Sequence, residues 1–501
     1  MAIKEPEAPL VGDKGLQAGA IGLVGNVVIG LAAVAPAYSL AATLGYVVLA
    51  VGEKAPSMFV LAFIPMLLVA FAYKELAQDT PDCGTTFTWA SKAFGPWIGW
   101  IGGWGLAVSA IIVLANVAEV AAIYLFKFLG LDDLADSLLA KVLLGSFFII
   151  AMTLLSARGI VVSERVQNVL IAVQFGVLII VSIIALVRVF AGTAGAQAIS
   201  PQLSWLWPSG LDISSIAQAI ILCIFIYWGW DACLAVGEET KDPGRTPGIA
   251  AVITTLILVC TYVLVAYAVQ SFSGFGEVGI GLNNAMNTDD VLTVLGEPVA
   301  GTLAASLLLL TVSVSGLSST QTTILPTARG TLSMAVYEAI PKRFSVVHPR
   351  YMTPAFGTIV MGCAALFFYL VLSFLSENAL ADSVASLGLA VAFYYGITAF
   401  ACVWYFRKTL SSARNLFFRG IFPLLGGIAM ALAFGISAKD MLAPDYGYTA
   451  FGPIGGVFVL GVGMLVLGIP LMLACFAFGT KRFFRGETLN ANTEVKVPDV
   501  F

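Results

Sequence analysis

Charged side chains are scarce in this chain, and groups for metal or nucleophilic chemistry are scarcer still. Only 11% of its 501 residues are charged, whereas soluble domains carry roughly 25%. It has one histidine, His348, and seven cysteines without the spacing of metal ligands, so we expect the cysteines to be small buried apolar residues. The sequence contains no Ser-His-Asp set and no phosphate-binding glycine loop. These absences argue against an enzyme, and energy from ATP would have to come from another subunit.

Long apolar stretches take up most of the chain, which is 59% apolar with a mean hydropathy of +0.96. Each stretch has about 20 residues or more, enough for a helix to cross a hydrocarbon core of roughly 30 Å. The strands of a membrane barrel would be about 10 residues of alternating polarity, a pattern that is not found. We therefore predict an all-α integral membrane protein with twelve transmembrane helices. The predicted spans are 18–47, 57–76, 96–126, 138–157, 165–190, 213–238, 248–271, 299–333, 355–376, 380–406, 418–437 and 452–478.

Twelve spans place both ends of the chain on one side of the membrane, and the positive side chains indicate which side. With the ends inside, the inner segments hold 20 Lys and Arg residues and the outer segments hold five. Cytoplasmic segments carry such an excess. The outer five are Lys54, Lys127, Lys141, Arg188 and Lys439. We expect a multi-pass protein of the plasma membrane with both termini in the cytoplasm and a disordered polar tail at 480–501.

Two spans are interrupted within the membrane. The first contains Pro36, and the sixth contains Gly229 beside Asp231. Spans 1–5 and 6–10 form two halves of similar size and opposite orientation, each beginning with its interrupted helix, as in many secondary transporters. The predicted organisation is an N-terminal segment 1–17, a first repeat 18–190, a second repeat 213–406, two extra helices in 418–478 and a C-terminal tail 479–501.

Four groups of residues resemble motifs of the amino acid–polyamine–organocation permeases, a family with the LeuT-type fold, and the resemblance covers roughly 18–406. They occur in order along the chain: Pro81 to Gly84 with Phe94 to Pro96, Ser156 to Gly159 with Arg165 to Asn168, Glu238 to Pro247, and Arg329 with Ile340 to Phe344 and Thr353 to Pro354. The resemblance implies a LeuT-type 5+5 inverted repeat with broken helices 1 and 6 plus two extra C-terminal helices. It also implies alternating access around a midplane site between helices 1, 3, 6, 8 and 10. We expect secondary transport of an amino acid or amine, without a cofactor or a nucleic-acid partner.

The two breaks form the predicted substrate site, because non-helical backbone inside a membrane is tolerated only where protein or a cavity satisfies it. The resemblance implies that N–H groups at the first break hold a substrate carboxylate, but Pro36 removes one donor and Ser39 offers a hydroxyl instead. Aromatic faces around Gly229 suit an ammonium, at about 1–2 kcal/mol when desolvated. The alternatives are a tolerated kink at Pro36 and ordinary aromatic packing. The predicted substrate-binding residues are Ala35, Pro36, Ala37, Tyr38, Ser39, Asn116, Glu119, Tyr227, Trp228, Gly229, Trp230 and Asp231.

Glu119 and Asp231 are the two carboxylates predicted within the membrane. A charge there costs about 2.5–3.5 kcal/mol or more, so each is a functional hypothesis. Asn116 lies on the same helix face as Glu119. With no buried Lys, Arg or His expected, the two carboxylates would form a negative cavity for a basic amino acid or polyamine. The alternatives are a Glu119 that reaches water, a neutral amino acid symporter of the same fold, and a nutrient sensor that does not transport.

Coupling is predicted between helices 1, 5 and 8, with protons, sodium and exchange left open. The resemblance implies a lysine in helix 5 of proton-coupled relatives, and Gln174 takes the aligned position. Gln174 cannot titrate but can hydrogen-bond the open backbone of helix 1. Hydroxyls for sodium are available at Ser315, Ser318 and Ser319, although such residues also serve ordinary helix packing. Protons would have to be carried by Glu119 or Asp231.

Overall fold

The computed structural model is mostly helical. It describes residues 10–11, 14–288, 290–375 and 379–495. The predicted terminal segments fall partly outside the described residues, at 1–9, 12–13 and 496–501.

The helices follow the predicted order of spans. The first half consists of α1 (Leu23–Val34), α2 (Pro36–Val51), α3 (Ala55–Asp79), α4 (Thr86–Phe94), α5 (Pro96–Phe128), α6 (Asp132–Asp136), α7 (Leu138–Ser156) and α8 (Ile160–Phe190). The second half consists of α9 (Ile213–Tyr227), α10 (Ala232–Ala235), α11 (Thr246–Ser273), α12 (Val291–Val336), α13 (Ala355–Leu375) and α14 (Ala379–Phe406). The extra helices are α15 (Ala413–Asn415) continuing through a π-helical turn into α16 (Phe422–Asp440), and α17 (Gly456–Phe458) continuing likewise into α18 (Met464–Phe478).

Eleven helical stretches in the described part of the chain are long and apolar enough to cross a membrane. The first of them, Leu23–Asp79, has 57 residues, too many for one crossing of roughly 30 Å. A 3₁₀ turn at Gly52–Lys54 divides it into two crossings. The predicted all-α membrane fold is therefore confirmed, and the division of Leu23–Asp79 agrees with the predicted count of twelve, whereas the boundaries of the predicted domains stay predictions.

Helix α12 is longer than one span because it contains a break near its beginning. Ala300 and Gly301 have non-helical backbone angles, with φ of +79° at Gly301, and Pro298 lies just before them. Proline removes a backbone donor and glycine accepts the left-handed angle. The membrane-crossing part of α12 therefore lies after Gly301.

Small residues bring α5 and α12 together behind the two breaks. A Cβ added to Gly316 of α12 would lie 2.6 Å from the carbonyl oxygen of Val117. The Ser313 hydroxyl donates to the Ala121 carbonyl at 2.8 Å. Close packing of this kind and interhelical hydrogen bonds hold helices together in lipid. We therefore expect α5 and α12 to stay packed against each other.

Five segments meet at one end of the bundle, which we call the terminal face: 14–22, 80–86, 236–246, 337–354 and 479–495. Short strands β1 (Leu10–Val11) and β4 (Glu494–Val495) pair in parallel there, and β2 (Ala450–Phe451) and β3 (Ile454–Gly455) form an antiparallel pair elsewhere.

The C-terminal tail is packed onto the terminal face. Phe483 and Leu489 are fully buried. The prediction of a disordered tail at 480–501 is therefore wrong for residues 480–495. A few apolar side chains anchor the tail even though its overall composition is polar.

Candidate substrate-binding site

The first break is a single residue between α1 and α2. Ala35 has φ 52° and ψ 61°, in the left-handed region that few residues other than glycine adopt. Pro36 begins α2, at a helix position that suits a residue without an N–H group. The predicted break at Ala35–Ser39 is thus shorter than expected, because Ala37 and Tyr38 lie in the first turn of α2.

Three donor groups at the first break already have partners. The Tyr38 N–H donates to Ser315 Oγ at 3.3 Å, and the Ser39 hydroxyl donates to the Val34 carbonyl at 2.8 Å. The Ala35 N–H bonds back into α1. These three groups are therefore not free to hold a substrate carboxylate.

The second break runs between α9 and α10, from Trp228 to Asp231. Gly229 has φ +111°, and a Cβ added to it would lie 2.8 Å from the carbonyl carbon of Ala33. The two breaks therefore touch backbone to backbone. Only glycine meets both the angle and the close approach.

Two tyrosines of α14 hold the Asp231 carboxylate. The Tyr395 hydroxyl donates to Oδ1 at 2.9 Å and the Tyr394 hydroxyl donates to Oδ2 at 3.0 Å. Trp228 Nε1 in turn donates to the Tyr394 oxygen at 2.5 Å. A buried charge needs such partners, and this network fixes the carboxylate next to the break.

Tyr227 and Trp230 are fully buried in contacts with other helices. The Tyr227 hydroxyl donates to the Phe59 carbonyl at 3.1 Å. The Trp230 ring packs against Tyr73, with ring centres 5.1 Å apart. Both residues thus secure the second break rather than line a cavity.

A narrow cavity lies between the breaks, with a volume of about 10 Å³, room for about one water molecule. The cavity is lined by α1, α5, the break between α9 and α10, α12 and α14. These correspond to the predicted spans 1, 3, 6, 8 and 10. Asp231 is the charged residue among the side chains that line it. The lining residues are Ala33, Leu106, Ala110, Trp228, Gly229, Asp231, Ala232, Thr322, Thr323, Pro326 and Tyr394.

Glu119 does not lie at this cavity. Helix α5 lines the cavity with Leu106 and Ala110, and Glu119 lies nine residues beyond Ala110, about 14 Å along the helix axis. Its carboxylate is 3.9 Å from the Lys141 ammonium of α7. The expected cavity with two carboxylates is therefore not formed, because Glu119 lies too far along α5. Glu119 also has a cation beside it, the ammonium of Lys141.

The three predicted α12 hydroxyls connect this helix to its neighbours. Ser315 accepts from the start of α2, and Ser319 donates to the Ala33 carbonyl at 2.9 Å. Ser318 donates to the side chain of Gln167 on α8. Ser315 and Ser319 thus hold α12 against both sides of the first break, and Ser318 holds it against α8.

The buried amides differ in whether they find partners. Gln174 is fully buried, yet neither atom of its amide has a hydrogen-bond partner among the described residues, so the expected bond to the helix 1 backbone is not formed. Gln167 on the same helix donates to Gln321 at 2.7 Å. Asn116 donates to Ser383 Oγ at 2.6 Å, six residues beyond the cavity-lining part of α5.

Sequence reasoning missed Tyr394, Tyr395 and Thr323. The signal for the tyrosines was available, since two adjacent hydroxyls in the middle of an apolar span need partners within the bundle. Thr323 carried no such signal, because threonines are common along α12.

Comparison with known proteins shows which family the chain belongs to. The model of the amino acid permease family matches residues 17–439. The chain belongs to this family. The permease is 26% identical over 412 residues to the low-affinity putrescine importer PlaP of Escherichia coli strain K12, covering 81% of this chain and 86% of the relative. It is 26% identical over 347 residues to the mitochondrial cationic amino acid transporter 3 of Arabidopsis thaliana, covering 67% of this chain and 54% of that one.

A solved structure shows the same fold. The crystal structure of MhsT in complex with L-phenylalanine matches with a TM-score of 0.56 at 18% identity, covering 83% of this chain and 98% of that one. The permease therefore has the LeuT-type fold expected from its motifs. Family membership makes it a multi-pass membrane transporter and not an enzyme.

Proposed function

We propose that this permease takes up a cationic organic amine, either a polyamine or a basic amino acid, by alternating access around the cavity at the two breaks. We place it in the plasma membrane with both termini in the cytoplasm, as the distribution of Lys and Arg favours. The observation that carries the proposal is that Asp231 is the charged side chain lining this cavity.

The chemistry of the cavity suits an ammonium group. The carboxylate of Asp231 is held by two tyrosine hydroxyls and keeps lone pairs for another donor. Trp228 and Tyr394 line the same cavity and offer aromatic faces to a cation. A hydrogen bond to a charged group is worth about 1.5–3 kcal/mol.

Within the cationic class, the first break favours an amine without a carboxylate. Pro36 lacks an N–H group, and the N–H of Tyr38 and the hydroxyl of Ser39 are already bonded. A zwitterionic amino acid would find these donors occupied when placing its carboxylate there. A diamine has no carboxylate to place.

The names of the relatives point to the same class, since one is a putrescine importer and another a cationic amino acid transporter. For coupling, Asp231 is the titratable group lining the cavity, so we propose that it carries the proton, or that the permease works by exchange. Gln174 cannot carry a proton in either case.

The test is uptake of labelled putrescine, arginine and alanine into proteoliposomes, with and without an inward proton gradient. We expect saturable uptake of putrescine, and Asp231→Asn should weaken it by about 10-fold or more because a charge-assisted bond is lost. Asp136→Asn is the matched control, because this residue is exposed in the short helix α6. Uptake of alanine alone, or putrescine uptake unchanged in Asp231→Asn, would contradict the proposal, and binding without flux would indicate a sensor.

A further inference from the structure

A buried charge network closes the terminal face. The Lys14 ammonium lies 2.7 Å from Asp82 Oδ2 and 2.5 Å from Glu238 Oε1, and the Tyr337 hydroxyl donates to Asp82 at 2.8 Å. Asp82, Cys83 and Glu238 converge as metal ligands would, but the Lys14 ammonium lies between them. The network joins the segment before α1, the loop after α3 and the segment after α10.

The same segments are also joined through their backbones. The Ile21 N–H donates to the Glu239 carbonyl at 3.1 Å, and the Lys241 N–H donates to the Ile21 carbonyl at 3.0 Å. Glu239 is further held by Arg329 of α12, whose Nη2 lies 2.9 Å from its carboxylate. Because these segments lead directly into α1 and out of α10, any path from the cavity to the terminal face requires them to separate.

The C-terminal tail packs against residues that belong to this network or border it. The Phe483 ring stacks on Phe87 of α4, with ring centres 5.3 Å apart. The Thr488 hydroxyl donates to the carbonyl of Tyr337 at 2.5 Å. Tyr337 therefore receives a bond from the tail through its backbone and gives one to Asp82 through its side chain.

The tail also reaches the far side of α4. Lys92 donates to the Thr493 carbonyl at 3.1 Å and to the Thr80 hydroxyl at 3.0 Å. Thr80 begins the loop that carries Asp82. The tail thus contacts α4, the helix that follows this loop, at two residues, Phe87 and Lys92.

We propose that residues 479–495 are a strap that holds the terminal face shut and so sets how often the permease opens on this side. The inference rests on the proposed alternating access, because the strap regulates the opening of one gate. Removal or displacement of the tail takes away support from Tyr337 and Phe87, and the Lys14 network then opens more often.

Cys83 reports the opening directly. It is free and fully buried within the network, and burial beside Glu238 raises the pKa of its thiol, so it reacts slowly while the face is shut. We would retain Cys83, replace the other six cysteines with alanine, and measure maleimide labelling in proteoliposomes. The variants are a chain ending at Gly479 and the single change Phe483→Ala.

We expect Cys83 to be labelled at least about 10-fold faster in both variants, since local opening sets the rate. Phe478→Ala is the matched control, because Phe478 lies just before the tail and is 91% exposed. A second reporter with Cys223 as the single cysteine, buried in α9, separates opening from unfolding. Strap release speeds the labelling of Cys83 alone, whereas general unfolding speeds both.

Labelling of Cys83 that is unchanged in both variants, or faster together with Cys223, would overturn the strap. Putrescine uptake is measured in the same vesicles. If Cys83 responds but putrescine is not transported, the strap stands and the proposed substrate fails.

Discussion

The terminal face and the centre of this permease differ in how completely their buried polar groups are paired. At the terminal face, Asp82 accepts from Lys14 and Tyr337, and also from Ser333 at 2.7 Å and Thr88 at 2.8 Å. Around the two breaks, several fully buried polar atoms have no partner among the described residues. They include both amide atoms of Gln174, Nε1 of Trp230 and the hydroxyls of Thr254 and Thr323.

An unpartnered buried polar group costs about 1–3 kcal/mol, so the centre is held at the expense of stability and the terminal face is not. Thr323 lines the cavity and is free to bond a substrate. The difference indicates that the centre is built to rearrange around a ligand, whereas the terminal face is built as a closed unit that opens as a whole.

Removal of the central cation of the network is expected to have the largest effect. Lys14→Met leaves the carboxylates of Asp82 and Glu238 buried without their ammonium, which costs about 3–5 kcal/mol for a buried pair. We expect a clear fall in the melting temperature of the purified protein and fast labelling of Cys83. Lys481→Met is the control, because Lys481 is exposed in the tail. An unchanged melting temperature would remove the basis for calling the terminal face a closed unit.

The next prediction tests whether the stability of the centre depends on the backbone contact between the two breaks. Gly229→Ala places a methyl group 2.8 Å from the Ala33 carbonyl carbon at φ +111°, and overpacking of this kind costs about 1–3 kcal/mol before backbone strain is added. We expect lost uptake and a lower melting temperature. Gly176→Ala in α8 adds the same methyl group into open space and should leave both unchanged. If the two variants behave alike, the close approach of the breaks is not what holds the centre.

The fold could be predicted from the sequence because span length and breaks have direct physical causes. Pro36 and Gly229 mark the two breaks by their own chemistry, and each lies at or next to a break in the structure. The tail escaped prediction because Phe483 and Leu489 are too few to show in a polar segment. Their burial depends on Phe87 and Tyr337, which come from distant parts of the chain.

The candidate site was only partly predictable. Asp231 lies at the cavity because it belongs to a break, whereas Glu119 was predicted from its charge and from the helix face that it shares with Asn116. The register of α5 against the breaks depends on how it packs on α12, through contacts such as Gly316 with Val117. Helical periodicity predicts which face of a helix a residue occupies, but not how far along the bundle that residue lies. Glu119 was expected at the level of the cavity and lies farther along α5.

A smaller effect distinguishes two glutamines of α8 that lie on the same helix seven residues apart. Gln167→Leu removes bonds to Ser318 and Gln321 and leaves their groups unpaired, so we expect a loss of about 1–3 kcal/mol. Gln174→Leu removes a buried amide that has no partner, so stability should stay equal or rise. Thermal melting of the two variants measures the difference. Equal losses in both would mean that Gln174 has a partner and that the centre is as satisfied as the terminal face.

The smallest effect concerns pH, where the terminal face should stay closed over a wide range. Burial alone would raise the pKa of Asp82, but Lys14 and hydrogen bonds from Ser333 lower it to about 2. Its contribution to stability is therefore complete above the ordinary value of 3.8 and is lost only as the pH falls toward 2.

Burial works against the Lys14 ammonium, but Asp82 and Glu238 keep the pKa of Lys14 well above 10.5. Its contribution is complete below 10.5 and is lost only as the pH rises through the higher folded value. Burial also raises the pKa of Cys83 and Tyr337. The difference in melting temperature between the unmodified protein and Tyr337→Phe, which removes one hydrogen bond to Asp82 but keeps Lys14, should thus stay constant from about pH 5 to pH 9. A step near pH 6 would mean that another group titrates within the network and that the terminal face responds to protons.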